Sequence, residues 1–212
     1  MAADSLRIHV WSRRVWGLLL ALAIAAAPAT AQRTPLPIGA KMPLTDHVLT
    51  GLDGRPTTLA DTLGAQGTVI IFWSNTCPWT KNYEKRVRSL ASRAAEVGVR
   101  FVLVNANDPR AFPRETPPEA RKRSVARAPG VAYLFDEGSA LARAFGATRT
   151  PEVFVFDSAG TLRYSGAIDD SPRSEKDVGR AYLAEALEAL RSGAPVEAPR
   201  TKAFGCLIKY ER

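Results

Sequence analysis

Two cysteines, two histidines and two methionines are all that 212 residues supply of three residue types. Cys77 and Cys206 stand far apart in the chain, which excludes both a disulfide-rich scaffold and the paired-cysteine spacing of zinc modules. No Cys-x-x-Cys occurs, so a local dithiol is excluded as well. With only His9 and His47 available, a Ser-His-Asp triad or a histidine-rich metal centre has poor material. Beyond the first thirty residues, no apolar run approaches the ~20 residues needed to span a bilayer. There is no internal repeat.

What is present begins with a leader. Arg7, Arg13 and Arg14 precede the apolar block Trp16 to Ala29, and Ala29-Thr30-Ala31 is a small-x-small cleavage site. We read residues 1–31 as a secretory signal peptide cut after Ala31. "SRRVWG" (Ser12 to Gly17) carries a twin-arginine hint. Removal leaves 26 basic and 20 acidic residues, a net charge of +6. The expected location is secreted or periplasmic, where nucleic acid is not an expected partner and stable membrane insertion is not expected after cleavage. An oxidising compartment also permits a disulfide. The basic run Arg121 to Arg127 reads as a solvated helix face, and His47 as an exposed loop residue.

Along the mature chain, strand and helix patterns alternate. Residues 32–40 read as an extended arm. Asp53-Gly54 between two alternating runs predicts a hairpin within residues 44–61. Thr68 to Ser74 is a near-continuous apolar run, as a central strand buried on both faces requires. From Lys81 the period becomes helical, with Tyr83, Val87, Leu90, Ala91 and Ala94 on one face and Gly98 as the stop. Val99 to Asn107 is a second buried strand, and Asp108 to Pro118 a proline-punctuated loop. Residues 119–128 then read as a short basic helix. Val131 to Asp136 is a third strand, and Gly138 to Gly146 a short helix. Residues 150–168 are two strands joined at Ser158-Ala159-Gly160. A helix over 174–193 has a capping-box variant at Ser174 and Asp177. Its stripe is Tyr182, Leu183, Ala186, Leu187 and Leu190. The sum is one α/β domain over 32–193, a mixed central sheet flanked by helices. A flexible, proline-flanked tail over 194–212 carries Cys206; its apolar Phe204, Cys206, Leu207 and Ile208 predict that it folds back over the helix that starts at Cys77 and brings Cys206 to Cys77 directly or after a local rearrangement.

The chemistry centres on "TVIIFWSNTCPWTKNYEKRV", Thr68 to Val87. A strand that runs through Cys-Pro into a helix places a thiol at the helix N-terminus. Free N–H groups and the positive dipole end there favour thiolate. Pro78 suits the first turn because its missing N–H was an orphan anyway. Thr80 stands where a Cys-x-x-Cys motif has its second sulfur, and its hydroxyl is a candidate donor to the thiolate. A buried structural cysteine is the alternative. The second signal is Thr150-Pro151 at the start of an inner strand. A cis bond there would turn the Thr150 backbone toward a neighbour, although trans is the commoner state.

These pieces, with "VNANDP", "RTPEVFVFD", "YSGAIDDSPR" and "FGCLIKY", resemble the thioredoxin superfamily, and within it the peroxiredoxin-like redoxins of the thiol-specific antioxidant type. The resemblance covers nearly all of the mature chain. It implies a thioredoxin-like fold, with Cys77 as the attacking thiol and Pro151 as a cis-proline beside it. Two departures bear on activity. Peroxidase-active members carry a proline where Ile70 stands, although Ser74 fits their hydroxyl position. Counting from Asp157, their peroxide-contacting arginine falls on Pro151, with Arg149 close by as a substitute. The site therefore reads more as a thiol–disulfide exchanger than as a peroxide reductase.

An attacking Cys77 needs a resolver, and Cys206 is the internal candidate. A static Cys77–Cys206 disulfide, a simply buried Cys206 and an external resolving thiol stay open. Trp73 and Trp79 flank Cys77 as candidate binding surface, Trp73 equally as core. Asp169 and Asp170 read as a capped turn, since neighbours in an extended stretch point opposite ways. The expected function is an exported thiol oxidoreductase with a thiol or disulfide protein partner or a peroxide substrate. No cofactor or metal is expected. The alternative is a non-catalytic binding module with a structural disulfide.

Overall fold

The computed structural model describes residues 34–211. Nine strands and four helices occur among them. In chain order these are β1 (Val48–Gly51), β2 (Pro56–Thr58), β3 (Gly67–Phe72), α1 (Pro78–Glu96), β4 (Val99–Asn105), α2 (Pro117–Ala120), β5 (Val131–Phe135), α3 (Ala140–Phe145), β6 (Arg149–Thr150), β7 (Glu152–Asp157), β8 (Leu162–Gly166), α4 (Tyr182–Ser192) and β9 (Cys206–Leu207). The signal-peptide expectation lies outside the described residues.

Seven strands form one mixed sheet in the order β2-β1-β5-β4-β3-β7-β8, and β6 pairs with β9 separately. β3 lies between parallel β4 and antiparallel β7. It is buried over its whole length, as its unbroken apolar run requires. Side-chain alternation splits the core into two layers. Val69, Ile71 and Trp73 face α1 and α4, whereas Ile70 and Phe72 face Phe145 of α3. Phe72, Phe145 and Phe154 meet edge to face at 5.1–5.7 Å.

The α1 stripe is as expected: Tyr83, Val87, Ala91 and Ala94 are buried, and Gly98 leaves the helix at φ +79°. Two local expectations fail. Residues 119–128 are not one helix: α2 stops after a single turn and a separate 3-10 turn covers 125–127. The reason is that Arg121 and Lys122 face solvent while Val125 and Ala126 turn inward, so no single face is apolar. The last helix starts at Tyr182, not Ser174, and Ser174 caps nothing with its side chain. Instead the 3-10 turn 175–177 and the carboxylate of Asp170, which accepts the Gly179 and Arg180 amides, shape that loop.

The tail folds back and docks, as its apolar residues predict, and Cys206 reaches Cys77. Arg200 bridges Ser165 of β8, with Ser165 N–H donating to Pro199 O at 2.9 Å and Thr201 N–H to Ser165 O at 3.0 Å. The chain then crosses to β6, where Thr150 faces Cys206 and Arg149 faces Leu207. Ile208 is buried in the α3-side layer. Lys209 O accepts from Asp108 N–H, and Lys209 N–H donates to Asn107 Oδ1. Tyr210 donates to Ala147 O, and Glu211 pairs with Arg110.

Candidate active site

Strand β3 delivers the chain through Trp73 to Thr76 into α1, with Cys77 as its N-cap residue and Pro78 in the first turn. The Cys77 sulfur therefore sits at the helix N-terminus, and the residue is only 3% exposed. The Cys77 amide donates to Ser74 Oγ at 3.0 Å, which orients the residue. Two groups meet the sulfur from across the site. Thr150 O lies 3.2 Å away and Cys206 Sγ 2.6 Å away. The two sulfurs are in contact and are not joined by a bond here. A covalent S–S bond is about 2.05 Å long, so bonding needs only a small approach.

The Thr150-Pro151 peptide bond is cis. It separates β6 from β7 and leaves the Thr150 carbonyl facing Cys77. Opposite, the tail comes in on Gly205. A Cβ there would stand 2.1 Å from Thr150 O and 3.0 Å from Pro151 N, both backbone atoms. Only a residue without a side chain lets the two backbones approach this closely.

Burial pushes the Cys206 thiol up from its ordinary 9.0 to about 12, with the hydrogen bond and charge of Cys77 adding to the rise and Lys209 opposing it. Cys206 is half-buried, the outer sulfur of the pair.

The remaining expected site residues divide. Thr80 is fully buried, but its hydroxyl lies 2.7 Å from both Ser74 O and Cys77 O and donates to these carbonyls. The expectation of a bond to the sulfur is corrected: a threonine in a first helical turn reaches back to a carbonyl three residues earlier. Trp73 is 0% exposed within the α1-side core, so it offers no binding surface, because its position at the end of β3 points it inward. Trp79 is half-buried and meets Phe204 of the tail at 4.7 Å, with the Arg173 guanidinium over its ring at 5.9 Å. Arg149 donates from Nη1 to Gly205 O at 2.9 Å, anchoring the tail. The tail meets the expected helix α1 through Phe204 on Trp79, while its backbone partners lie on β6 and β8, which offer free strand edges where a helix offers none. Asp169 is buried, and accepts from Arg86 Nη1 at 2.6 Å and from Tyr83 OH at 2.8 Å.

Sequence reasoning missed Glu115. It is 1% exposed and accepts from Ser74 Oγ at 2.7 Å, Asn75 N–H at 2.8 Å, Thr76 Oγ1, and Asn105 Nδ2 at 2.8 Å. Asn75 is held further by Tyr133 OH, by Arg114 O and by Thr116 O. The turn before Cys77 is thus fixed from forty residues downstream. In the sequence, "PRETPP" gave no sign beyond a charged residue among prolines.

The Redoxin family model matches residues 37–182. Among solved structures, a hypothetical protein from Sinorhizobium meliloti 1021 is 31% identical, with TM-score 0.75, over 84% of this chain and 97% of that one. An uncharacterized conserved protein from Geobacillus kaustophilus is 32% identical, with TM-score 0.75, over 83% and 93%. Peroxidoxin BcpB from Mycobacterium tuberculosis, at 21% identity and TM-score 0.53 over 73% and 96%, shares the fold. No curated protein matches the sequence. Family and fold together make this a thioredoxin-fold redox protein.

Proposed function

We propose, for a chain that belongs to the Redoxin family, that it is an exported thiol–disulfide oxidoreductase in which Cys77 attacks and Cys206 resolves. The observation that carries this reading is the 2.6 Å separation of the two sulfurs beside the Thr150 carbonyl. In the reducing direction, the Cys77 thiolate attacks one sulfur of a partner disulfide. A Cys77–partner bond forms, the partner's own S–S bond breaks, and one partner thiolate leaves. Cys206 then loses its proton and attacks Cys77 Sγ, releasing the second partner thiolate. Two electrons have passed to the partner, and the Cys77–Cys206 disulfide is returned to dithiol by an external thiol.

The raised Cys206 thiol fits this order. It keeps its proton while Cys77 acts. Once Cys77 is in a mixed disulfide, its hydrogen bond and charge no longer raise Cys206, and burial, the largest influence, stays while the tail is seated. A protein disulfide reaches Cys77 only when the tail parts, since Cys206 and β6 cover it. Trp79, Phe204 and the half-exposed Cys206 would then meet the partner, and Arg149 would be freed from Gly205. Hydrogen peroxide is expected to be the poorer substrate. Export rests on residues 1–31, and no helix among the described residues is long and apolar enough to cross a membrane.

The test is alkylation of Cys77 across pH, mass mapping of the oxidised protein, and turnover of a disulfide and of hydrogen peroxide. Reversible Cys77–Cys206 cycling, lost in Cys77→Ser, supports the reading. A Cys77–Cys206 disulfide that never exchanges with thiols would instead make the chain a binding module pinned by a static bond.

A further inference from the structure

We infer that the mouth of the thiol site selects partner proteins whose disulfide is flanked by acidic residues, through four cations that have no carboxylate of their own. The inference rests on Cys77 being the nucleophile. Lys81, Arg149, Arg173 and Lys209 make no ion pair among the described residues. Each stands close to the two sulfurs. Arg149 Nη1 donates at 2.9 Å to the carbonyl of Gly205, the residue before Cys206, and its neighbour Thr150 touches Cys77. The Arg173 guanidinium lies 5.9 Å from the ring of Trp79, which packs on Phe204 at 4.7 Å. Lys81 is exposed one helical turn after Cys77, so the two share a face of α1. Lys209 stands over Phe112 at 4.1 Å, and its charge opposes the rise of the Cys206 thiol.

The acids nearby are engaged elsewhere. Asp108 and Glu211 both pair with Arg110, Asp169 with Arg86, and Glu175 with Lys85. Asp170 accepts the Gly179 and Arg180 amides. Glu115 is buried behind the turn before Cys77, with four donors on its oxygens. Glu152, the acid that opposes Arg149, accepts the Thr148 and Arg149 amides and not the guanidinium. What the surface around the thiol offers is unpaired positive charge beside apolar groups, since Phe204 is 48% and Leu207 63% exposed. Charge of one sign draws in the opposite sign, and the exposed apolar groups suit the side chains of a polypeptide rather than a small anion. Lys81, Arg149 and Arg173 ride on the core, so they keep their places when the tail parts. Parting also frees the Arg149 guanidinium from Gly205 O, which leaves a planar two-pronged donor for a carboxylate beside Cys77 as the partner enters.

The test uses the reduced full-length protein and three peptide disulfides. Each is a homodimer of a short peptide, capped at both ends, with its cysteine flanked by glutamate, by glutamine or by lysine. Second-order rates are divided by the rate of the same peptide with mercaptoethanol, which removes differences in intrinsic reactivity. At about 10 mM ionic strength the glutamate peptide is expected to react about tenfold faster than the lysine peptide, the lower end of the range for electrostatic steering. At about 1 M salt, where the Debye length is ~3 Å, the ratio should approach one. Lys81 and Arg173 are both exposed, so Lys81→Glu/Arg173→Glu is expected to fold with an unchanged thermal midpoint. It should abolish or invert the low-salt ratio while the glutamine peptide keeps its rate within twofold. A low-salt ratio within twofold of one, a ratio that survives high salt, or one unchanged in the double variant would overturn the inference. Equal peptide rates, together with binding to phosphatidylglycerol vesicles that the double variant loses, would make this face a membrane contact and overturn it too. Cys77→Ser keeps the two readings apart. Equal rates that vanish in Cys77→Ser remove the charge preference and leave the nucleophile; rates that survive it remove Cys77 itself.

Discussion

Gly205→Ala is the sharpest perturbation of the tail. The added methyl would stand 2.1 Å from Thr150 O and 2.6 Å from Thr150 C, against an ordinary contact of 3.4–4 Å. Relief needs a shift of more than an ångström, and both colliding groups are backbone. The tail must give, because Thr150 is tied into the core next to β7. Overpacking of this kind costs about 1–3 kcal/mol. That lowers the docking equilibrium of the tail roughly 5- to 150-fold. The Arg149 bond to Gly205 O and the Ile208 bond to Thr148 O are the first to weaken. The assay is alkylation of Cys77 in the reduced protein, followed by mass, beside the rate of intramolecular disulfide formation. With the covered thiol reached through the open tail, Cys77 alkylation should rise by the same factor and disulfide formation should fall. Thermal unfolding of the core should move little. Both rates within twofold of wild type would refute the reasoning, since the tail would not then be what covers Cys77.

Cys77→Ser is expected to abolish both disulfide and peroxide turnover, checked by steady-state assay. Cys206→Ser should trap Cys77 in a mixed disulfide with its partner, visible by mass. The Cys206 thiol, raised from 9.0 to about 12 in the folded state, favours docking fully below pH 9. That contribution is lost as pH rises from 9 towards 12, so the reduced tail should loosen there, measured by hydrogen exchange at Ile208 or by limited proteolysis. Asp169→Ala breaks a buried ion pair with Arg86 and should destabilise the fold by about 3–5 kcal/mol in denaturant unfolding. Asp170→Ala, which loses exposed caps on Gly179 and Arg180, should cost about 1 kcal/mol.

What was legible in the sequence was whatever a period or a breaker announces. The apolar run of β3, the stripe of α1 and the Gly98 stop each follow from one local rule, and each is where it was expected. The two capping acids at 169 and 170 were legible as a turn. They were not legible as different residues, because only the fold brings Arg86 to one and the Arg180 amide to the other. Glu115 was invisible for the same reason: its four donors come from β4 and from the turn before α1, and a lone acid among prolines looks like surface. Thr80 was placed correctly, but its proton was assigned to the wrong acceptor. Sequence spacing says which residues share a turn and not which of several oxygens wins. The tail was seen to be too apolar to hang free, yet its path depended on two glycines, Gly166 and Gly205, whose close approaches to Thr201 and Thr150 are tertiary facts.

The absence of a second cysteine near Cys77 then has a physical consequence. In a Cys-x-x-Cys site both sulfurs ride on one rigid turn, so the resolving thiol is always present. Here the partner sulfur lies 129 positions away in sequence, and an open chain would bring it near only at the entropic cost of closing that loop. Docking supplies the closure in advance: β8, β6 and the α3-side core hold the tail without any covalent bond. On the proposed cycle, resolution is therefore available while the tail is seated and unavailable while it is displaced. A bulky partner that must lift the tail to reach Cys77 also removes the resolver for as long as it stays. The mixed disulfide should then persist longer with large partners than with small ones. Trapping yields for a folded protein disulfide and for glutathione disulfide, compared at matched initial rates in wild-type protein, check this. Equal lifetimes would mean that the tail stays seated throughout and that partners reach Cys77 by another face.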